Sequence, residues 1–211
     1  MIEAYRDVLV LAPHTDDGEL GCGGTIARLV EKGCNVTYVA FSTAEQSLPA
    51  GLPPSTLKSE LKEATHRLGI PSDNVIVFDY EVRKLNYVRQ EILESLVRIK
   101  RERPVDLVLM PSLNDIHQDH STVAVEGLRA FKDRTILGYE LIWNNVSFNT
   151  ACFVRLDERH VACKAKALTA YRSQANKAYT SQEFIYSLAR TRGVQIGVEY
   201  AECFEAIRWV M

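Results

Sequence analysis

Short, unbroken apolar runs alternating with segments of helical periodicity constrain this chain more than any other feature. Val8-Leu9-Val10-Leu11-Ala12, bounded by Pro13, reads as a strand buried on both faces, the mark of a parallel sheet covered by helices on each side. From Gly21 the spacing changes to Ile26, Leu29 and Val30 and stops at Lys32-Gly33, a cationic last turn followed by a C-terminal glycine. Val36 to Phe41 is the next apolar run, so the first 42 residues predict strand, helix, strand, a right-handed crossover unit.

The alternation continues along the chain. Leu57, Leu61, Ala64 and Leu68 recur at helical spacing up to Gly69, and Val75-Ile76-Val77-Phe78 predicts a third strand. Leu85 to Arg101 places Val88, Ile92, Leu93, Leu96, Val97 and Ile99 on a broad apolar stripe, and Pro104 precedes a fourth strand, Val105 to Met110. Thr43 to Pro54 holds three prolines and a glycine and predicts a mobile loop. Beyond residue 130, Ile136 to Trp143 and Cys152 to Leu156 predict strands and Glu158 to Tyr171 a helix, with the tail ambiguous. The expected fold is one α/β domain over residues 1–211: a doubly wound, mostly parallel, Rossmann-like sheet with helices on both faces and a strand-rich C-terminal extension.

Composition removes several function classes. The 25 Lys+Arg against 27 Asp+Glu give a formal charge of −2, and no local run supplies the basic stripe that nucleic acid requires. Cys22, Cys34, Cys152, Cys163 and Cys203 are an odd, widely spaced set without a Cys-x-x-Cys pair, which fits a reduced, cytoplasmic setting. The N-terminus, Met1 to Asp7, places two acids before any apolar run, and no stretch approaches the ~20 apolar residues of a membrane span, so membrane insertion is not expected. A homo-oligomer stays compatible with all of this.

In an open parallel sheet, ligands gather outside the carboxyl ends of the strands, and two such places are dense in metal-ligand types. After the first strand comes His14-Thr15-Asp16-Asp17, and after the fourth comes Asn114-Asp115-Ile116-His117-Gln118-Asp119-His120. His14 and Asp17 are three residues apart in a loop entering a helix, so both can converge on one ion, with His120 as the third ligand. Two histidines, one carboxylate and an open position suit a catalytic zinc, which lowers the pKa of its water toward ~7. The same set suits ferrous iron. Asp16 is then placed to take the proton of that water and pass it to a leaving amine. His117 would stabilise the oxyanion, with Asp119 holding its ring in orientation and keeping it charged.

The plainer readings are that Asp16-Asp17 and Asp119 merely favour helix starts. Two clusters that together use three of the five histidines make that account insufficient. His66 and His160, each beside an arginine, are expected to be solvated. Gly21, Gly23 and Gly24 suggest a dinucleotide turn, but Ile26 stands where its last glycine is needed, and Ser42-Thr43 where an acidic ribose partner is expected. Close helix packing explains these glycines better. No G-x-S-x-G elbow surrounds Ser42 or Ser112, and Cys22 reads as a small buried residue.

The stretch from Ala12-Pro13-His14-Thr15-Asp16-Asp17 through Gly21-Cys22-Gly23-Gly24-Thr25, together with His117-Gln118-Asp119-His120, resembles the zinc-dependent deacetylases related to the GlcNAc-phosphatidylinositol de-N-acetylase, whose bacterial branch is LmbE-like. The resemblance continues in the helix Glu60 to Gly69, in Arg172-Ser173-Gln174, in residues Ala189 to Gly193 and in Tyr200 to Phe204. It implies His14, Asp17 and His120 as zinc ligands, Asp16 as general base and His117 as the oxyanion-stabilising histidine. It also implies removal of an acetyl group from an N-acetylglucosamine moiety attached to inositol, malate, a lipid, an antibiotic or a longer glycan. Thr15 and Gln118 replace prolines of the family motif, and Tyr171 replaces a frequent histidine. Leu57 stands where an arginine often faces the substrate, which leaves neighbouring Lys58, with Arg192, as the candidate substrate contacts. The alternatives are a metal-dependent hydrolase of another amide or ester, or a sugar-binding relative without turnover. Pure binding would need neither Asp16 nor His117.

Overall fold

The computed structural model describes residues 2–210; Met1, part of the N-terminal reading above, lies outside them. The chain runs β1 (Asp7–Ala12), α1 (Asp17–Glu31), β2 (Asn35–Ala40), α2 (Thr56–Arg67), β3 (Val75–Val77), α3 (Arg89–Glu102), β4 (Leu107–Pro111) and α4 (Gln118–Ala130). It continues through β5 (Thr135–Tyr139), β6 (Cys152–Leu156), α5 (Glu158–Leu168), α6 (Gln182–Gln195) and β7 (Tyr200–Arg208). Side chains alternate along a strand, so β1 feeds two cores: Val8, Val10 and Ala12 pack under α1, α2, α5 and α6, while Leu9 and Leu11 pack under α3 and α4. Burial on both faces is why the run is apolar without interruption.

The seven strands form one sheet in the order β3-β2-β1-β4-β5-β7-β6. β1 pairs in parallel with β2 (Val8 opposite Val36) and with β4 (Val8 opposite Leu107), and β4 pairs in parallel with β5. The chain therefore builds outward from β1 to β3, then crosses back to β4 on the other side of β1. The carboxyl ends of β1 and β4 are adjacent and flank the point where strand order reverses, which is where open α/β sheets bind ligands. Both motif loops start there.

The C-terminal extension continues this same sheet: β7 runs antiparallel between β5 and β6. The strand expected over Ile136 to Trp143 stops at Tyr139 because the chain turns over residues 141–145, where the amides of Asn144 and Asn145 donate to the Leu141 carbonyl. α1 starts at Asp17, ahead of its periodic apolar pattern, and kinks at Cys22 (φ −144°, ψ 22°). The kink frees the amides of Gly24 and Thr25, which donate to the Glu202 carboxylate of β7 at 3.0 and 2.6 Å. Lys164 of α5 neutralises that buried carboxylate at 2.7 Å. A Cβ on Gly21 would stand 2.2 Å from the Tyr139 ring, and one on Gly24 2.6 Å from Leu156. The glycines thus let α1 lie directly on β5 and β6, as their packing role predicts. His160 departs from expectation: it is buried, its Nδ1 accepts from the Asp157 amide at 3.0 Å, and its Nε2 lies 2.9 Å from Glu31. His66 is exposed.

Candidate metal centre

His14 and Asp17 sit on the tight passage from β1 into α1, and His120 lies in the first turn of α4. Their donor atoms form a small triangle: His14 Nδ1 to Asp17 Oδ2 3.1 Å, His120 Nε2 to Asp17 Oδ2 3.3 Å, and His120 Nε2 to His14 Nδ1 3.2 Å. A tetrahedral ion with bonds of about 2.0–2.1 Å needs ligand atoms about 3.3 Å apart. The donor set therefore fits a zinc-sized cation without rearrangement. Asp17 and His120 are buried, and Asp17 Oδ2 is further fixed by the His14 amide at 2.7 Å.

The far side of each imidazole is held by a carboxylate. His14 Nε2 meets Asp119 Oδ2 at 2.9 Å, and His120 Nδ1 meets Asp115 Oδ2 at 2.7 Å. These contacts put the proton on the outer nitrogen and leave the inner one free to ligate. Asp119 is itself pinned by the amides of Arg83 (2.6 Å) and Leu85 (3.2 Å), and Asp115 Oδ1 accepts from the His117 amide at 2.8 Å.

Asp119 was expected to orient His117 and keep it charged, and here the structure differs. Its carboxylate serves His14, and only its backbone amide meets His117, donating to Nδ1 at 3.1 Å. His117 is the N-cap of α4, a role that needs an unprotonated Nδ1. Burial and the neighbouring His120 and His14 lower its pKa, and the Asp119 amide at Nδ1 leaves Nε2 as the ring's free position. Asp115 escaped the sequence reading, although it lies two residues before His117 and five before His120, where an orienting carboxylate can be sought.

Asp16 occupies the N-cap position of α1 but makes no cap hydrogen bond, and it lines the cleft beside the triangle. Burial and the adjacent Asp17 push its carboxyl above the ordinary range, against the pull of Lys177 and His14. Burial also opposes charge on Asp17, yet His120 and His14 hold that carboxyl well below its ordinary value. Beneath the loop, the Thr15 carbonyl accepts from the hydroxyls of Tyr38 (3.0 Å) and Tyr171 (2.7 Å), and both tyrosines reach buried Glu19. Tyr171 therefore braces the motif loop from below. Burial raises the Glu19 pKa to about 8, which favours the protonated carboxyl in this brace at neutral pH.

The triangle opens into a cleft of about 200 Å³. Trp143, stacked on Tyr179 with centroids 4.0 Å apart, lines it together with Asn144, Gln174 and Lys177, as do Ala44, Ser47, Leu57, Val82 and Arg83. Neither predicted substrate contact lines it. Lys58 projects from the opposite side of α2 into a depression with His66 and Ile70, because one residue turns a helix by about 100° and Leu57 takes the cleft-facing position. Arg192 is ion-paired to Glu140 at 3.0 Å in a neighbouring small cavity. Most of the lining residues lie on loops, where the sequence offers no periodic signal; Leu57 of α2 and Gln174 lie at positions that the resemblance marks.

Fold and site together define a doubly wound α/β protein that gathers His14, Asp17 and His120 at its switch point. The family model for GlcNAc-PI de-N-acetylase (PIG-L) matches residues 9–131, more than half of the chain, and the protein belongs to that family, whose members are deacetylases, hydrolases acting on N-acetyl amide bonds. The chain is 27% identical over 174 residues to the uncharacterized deacetylase YaiS of Escherichia coli (strain K12), covering 80% of this chain and 91% of that one. It is 30% identical over 134 residues to the diacetylchitobiose deacetylase of Thermococcus kodakarensis, covering 59% of this chain but only 49% of that enzyme. Among solved structures, the conserved protein TT1542 from Thermus thermophilus matches with a TM-score of 0.81 and 27% identity, over 97% of each chain. Among the described residues no helix is long and apolar enough to cross a membrane.

Proposed function

We propose that this protein is a zinc-dependent N-deacetylase acting on an N-acetylglucosamine-type amino sugar or its conjugate, with ferrous iron as the alternative metal. The observation that carries the reading is the triangle of His14 Nδ1, Asp17 Oδ2 and His120 Nε2, with Asp16 and His117 beside it in one cleft. A zinc bound there would supply an activated water and polarise the acetamide carbonyl.

The remaining chemistry belongs to this chain's own side chains. Asp16, a carboxylate with an elevated pKa beside the ligands, takes the proton of the attacking water and returns it to the departing amine. The carbonyl oxygen gains charge as the tetrahedral intermediate forms, and His117 Nε2–H donates to it. Its Nδ1 is fixed by the Asp119 amide, so the ring needs no reorientation during the reaction. Asp115 and Asp119 hold the two ligand rings, and the stacked Trp143 and Tyr179 offer the flat apolar face that a sugar ring covers. The five cysteines, none of them in a disulfide, accord with a cytoplasmic location.

Acetate release from N-acetylglucosamine and N,N'-diacetylchitobiose tests the reading. Asp16→Asn is expected to retain metal and lose about 10²- to 10⁴-fold in turnover. Full turnover in that variant would remove Asp16 from the mechanism, and no acetate from any N-acetylated sugar would overturn the reading itself.

A further inference from the structure

A carboxylate of β7 reaches across the sheet to the loop behind the metal triangle. Glu205 stands opposite Gly138 of β5, and Gly138 stands opposite Met110 of β4. Because Gly138 has no side chain, the chain leaving β4 passes close over it: a Cβ there would stand 3.1 Å from the Ser112 Cα. Ser112 Oγ donates to Glu205 Oε2 at 2.5 Å, and the Asn114 side-chain amide donates to Oε1 at 3.0 Å. The Asn149 backbone amide, from the loop between β5 and β6, donates to the same Oε1 at 3.1 Å. Glu205 and Ser112 are buried. All three donors are neutral, so charge pairing does not account for a buried carboxylate here. Three donors on two oxygens need an acceptor at each end of the side chain, which a carboxylate has and a glutamine lacks.

The two loops that Glu205 joins meet again beside the cleft. The Asp115 amide donates to the Ser112 carbonyl at 3.2 Å, so the turn held by Glu205 is the one that presents Asp115. Asp115 bridges to Asn145, and the Ile116 amide donates to the Asn144 carbonyl at 3.1 Å. Asp115 Oδ2 meets His120 Nδ1 at 2.7 Å, while Trp143, just before the bridging asparagines, lines the cleft. One carboxylate therefore fixes both the start of the loop that orients a ligand ring and the end of the loop that carries the aromatic stack. A metal centre keeps its geometry only while the groups behind its ligands are themselves held.

Resting on the metal-centre reading above, we propose that Glu205 is a positioning residue: it holds Asp115, and through it the His120 ring, in register with the Trp143 loop. Glu205 does not line the cleft, so its effect passes through these two loops.

Zinc affinity, measured by competition with a chelator in a double-mutant cycle, tests the proposal. Glu205→Gln preserves volume and turns one acceptor oxygen into a donor, so the folded variant is expected to lose about threefold or more in zinc affinity. Asp115→Asn alone should lose more, and adding Glu205→Gln to it should cost nothing further, because Glu205 acts through Asp115. A residue that only stabilises the fold would lower the thermal midpoint and leave zinc affinity unchanged. Trp143 gives the second readout: the chain has 2 tryptophans, so a Trp209→Phe background isolates it. Acrylamide should quench it more readily after Glu205→Gln. Should that variant fail to fold, Asn114→Ala removes one donor from the loop side and is expected to give the same changes to a smaller degree. Wild-type zinc affinity, the same loss with and without Asp115→Asn, or unchanged quenching would overturn the proposal. Absence of zinc from the wild type would instead overturn the metal centre, and this role with it.

Discussion

At the residue scale the centre depends on which nitrogen of each imidazole faces inward. His14 presents Nδ1 and His120 presents Nε2, and in each case a buried carboxylate on the opposite nitrogen settles the choice. Asp115→Asn should therefore weaken zinc affinity about 10- to 100-fold while the fold persists, read by competition with a chelator of known affinity. Unchanged affinity would mean that Asp115 acts only on the loop. The sequence identified His14, Asp16, Asp17, His117 and His120 as one set because they follow two strands that end side by side. It misassigned the partner of Asp119. Neighbours in sequence suggested His117, whereas the contact with His14 arises only when β1 and β4 pair and residues 105 positions apart meet. Lys58 failed for a different reason: a one-residue offset on α2 sends it round the helix.

At the element scale, β1 to β4 were readable because strands covered on both faces must be apolar throughout. β7 was unreadable because its interior includes Glu202 and Glu205, buried carboxylates whose partners lie far away in sequence. Glu202 receives Gly24, Thr25 and Lys164; Glu205 receives Ser112 at 2.5 Å and Asn114 at 3.0 Å. Glu202 caps the second half of the kinked α1, directly behind the metal loop. Glu202→Ala would strand a buried lysine and two amides, so unfolding by denaturant should show a loss of about 3–5 kcal/mol. A loss below about 1 kcal/mol would show that the kink satisfies its amides without this carboxylate. His160 makes the same point from α5: it was expected in solvent beside Arg159, yet the helix start draws it into a reciprocal cap with Asp157.

At the scale of the whole molecule, the charge gathered at the site makes the stability of the metal-free protein depend on pH. In the metal-free protein burial penalises protonation of His14 and His120, but Asp17 and the outer carboxylates outweigh it, raising the two rings to about 9 and about 10. A histidine raised on folding stabilises the fold fully below its unfolded pKa of about 6.5 and loses that contribution as pH climbs through the folded value. The thermal midpoint of the metal-free protein is therefore expected to fall between about pH 6.5 and pH 10, and zinc, which binds the neutral rings, should flatten the slope. A midpoint independent of pH in the metal-free form would contradict this electrostatic description. Everything proposed for the site depends on His14, Asp17 and His120 forming one metal centre, and metal content decides that point: wild type and His120→Ala equilibrated with zinc and iron, then analysed by plasma mass spectrometry. About one zinc per wild-type chain is expected, with loss of it in a variant that remains folded; no metal in wild type, or equal metal in both proteins, would contradict the assignment.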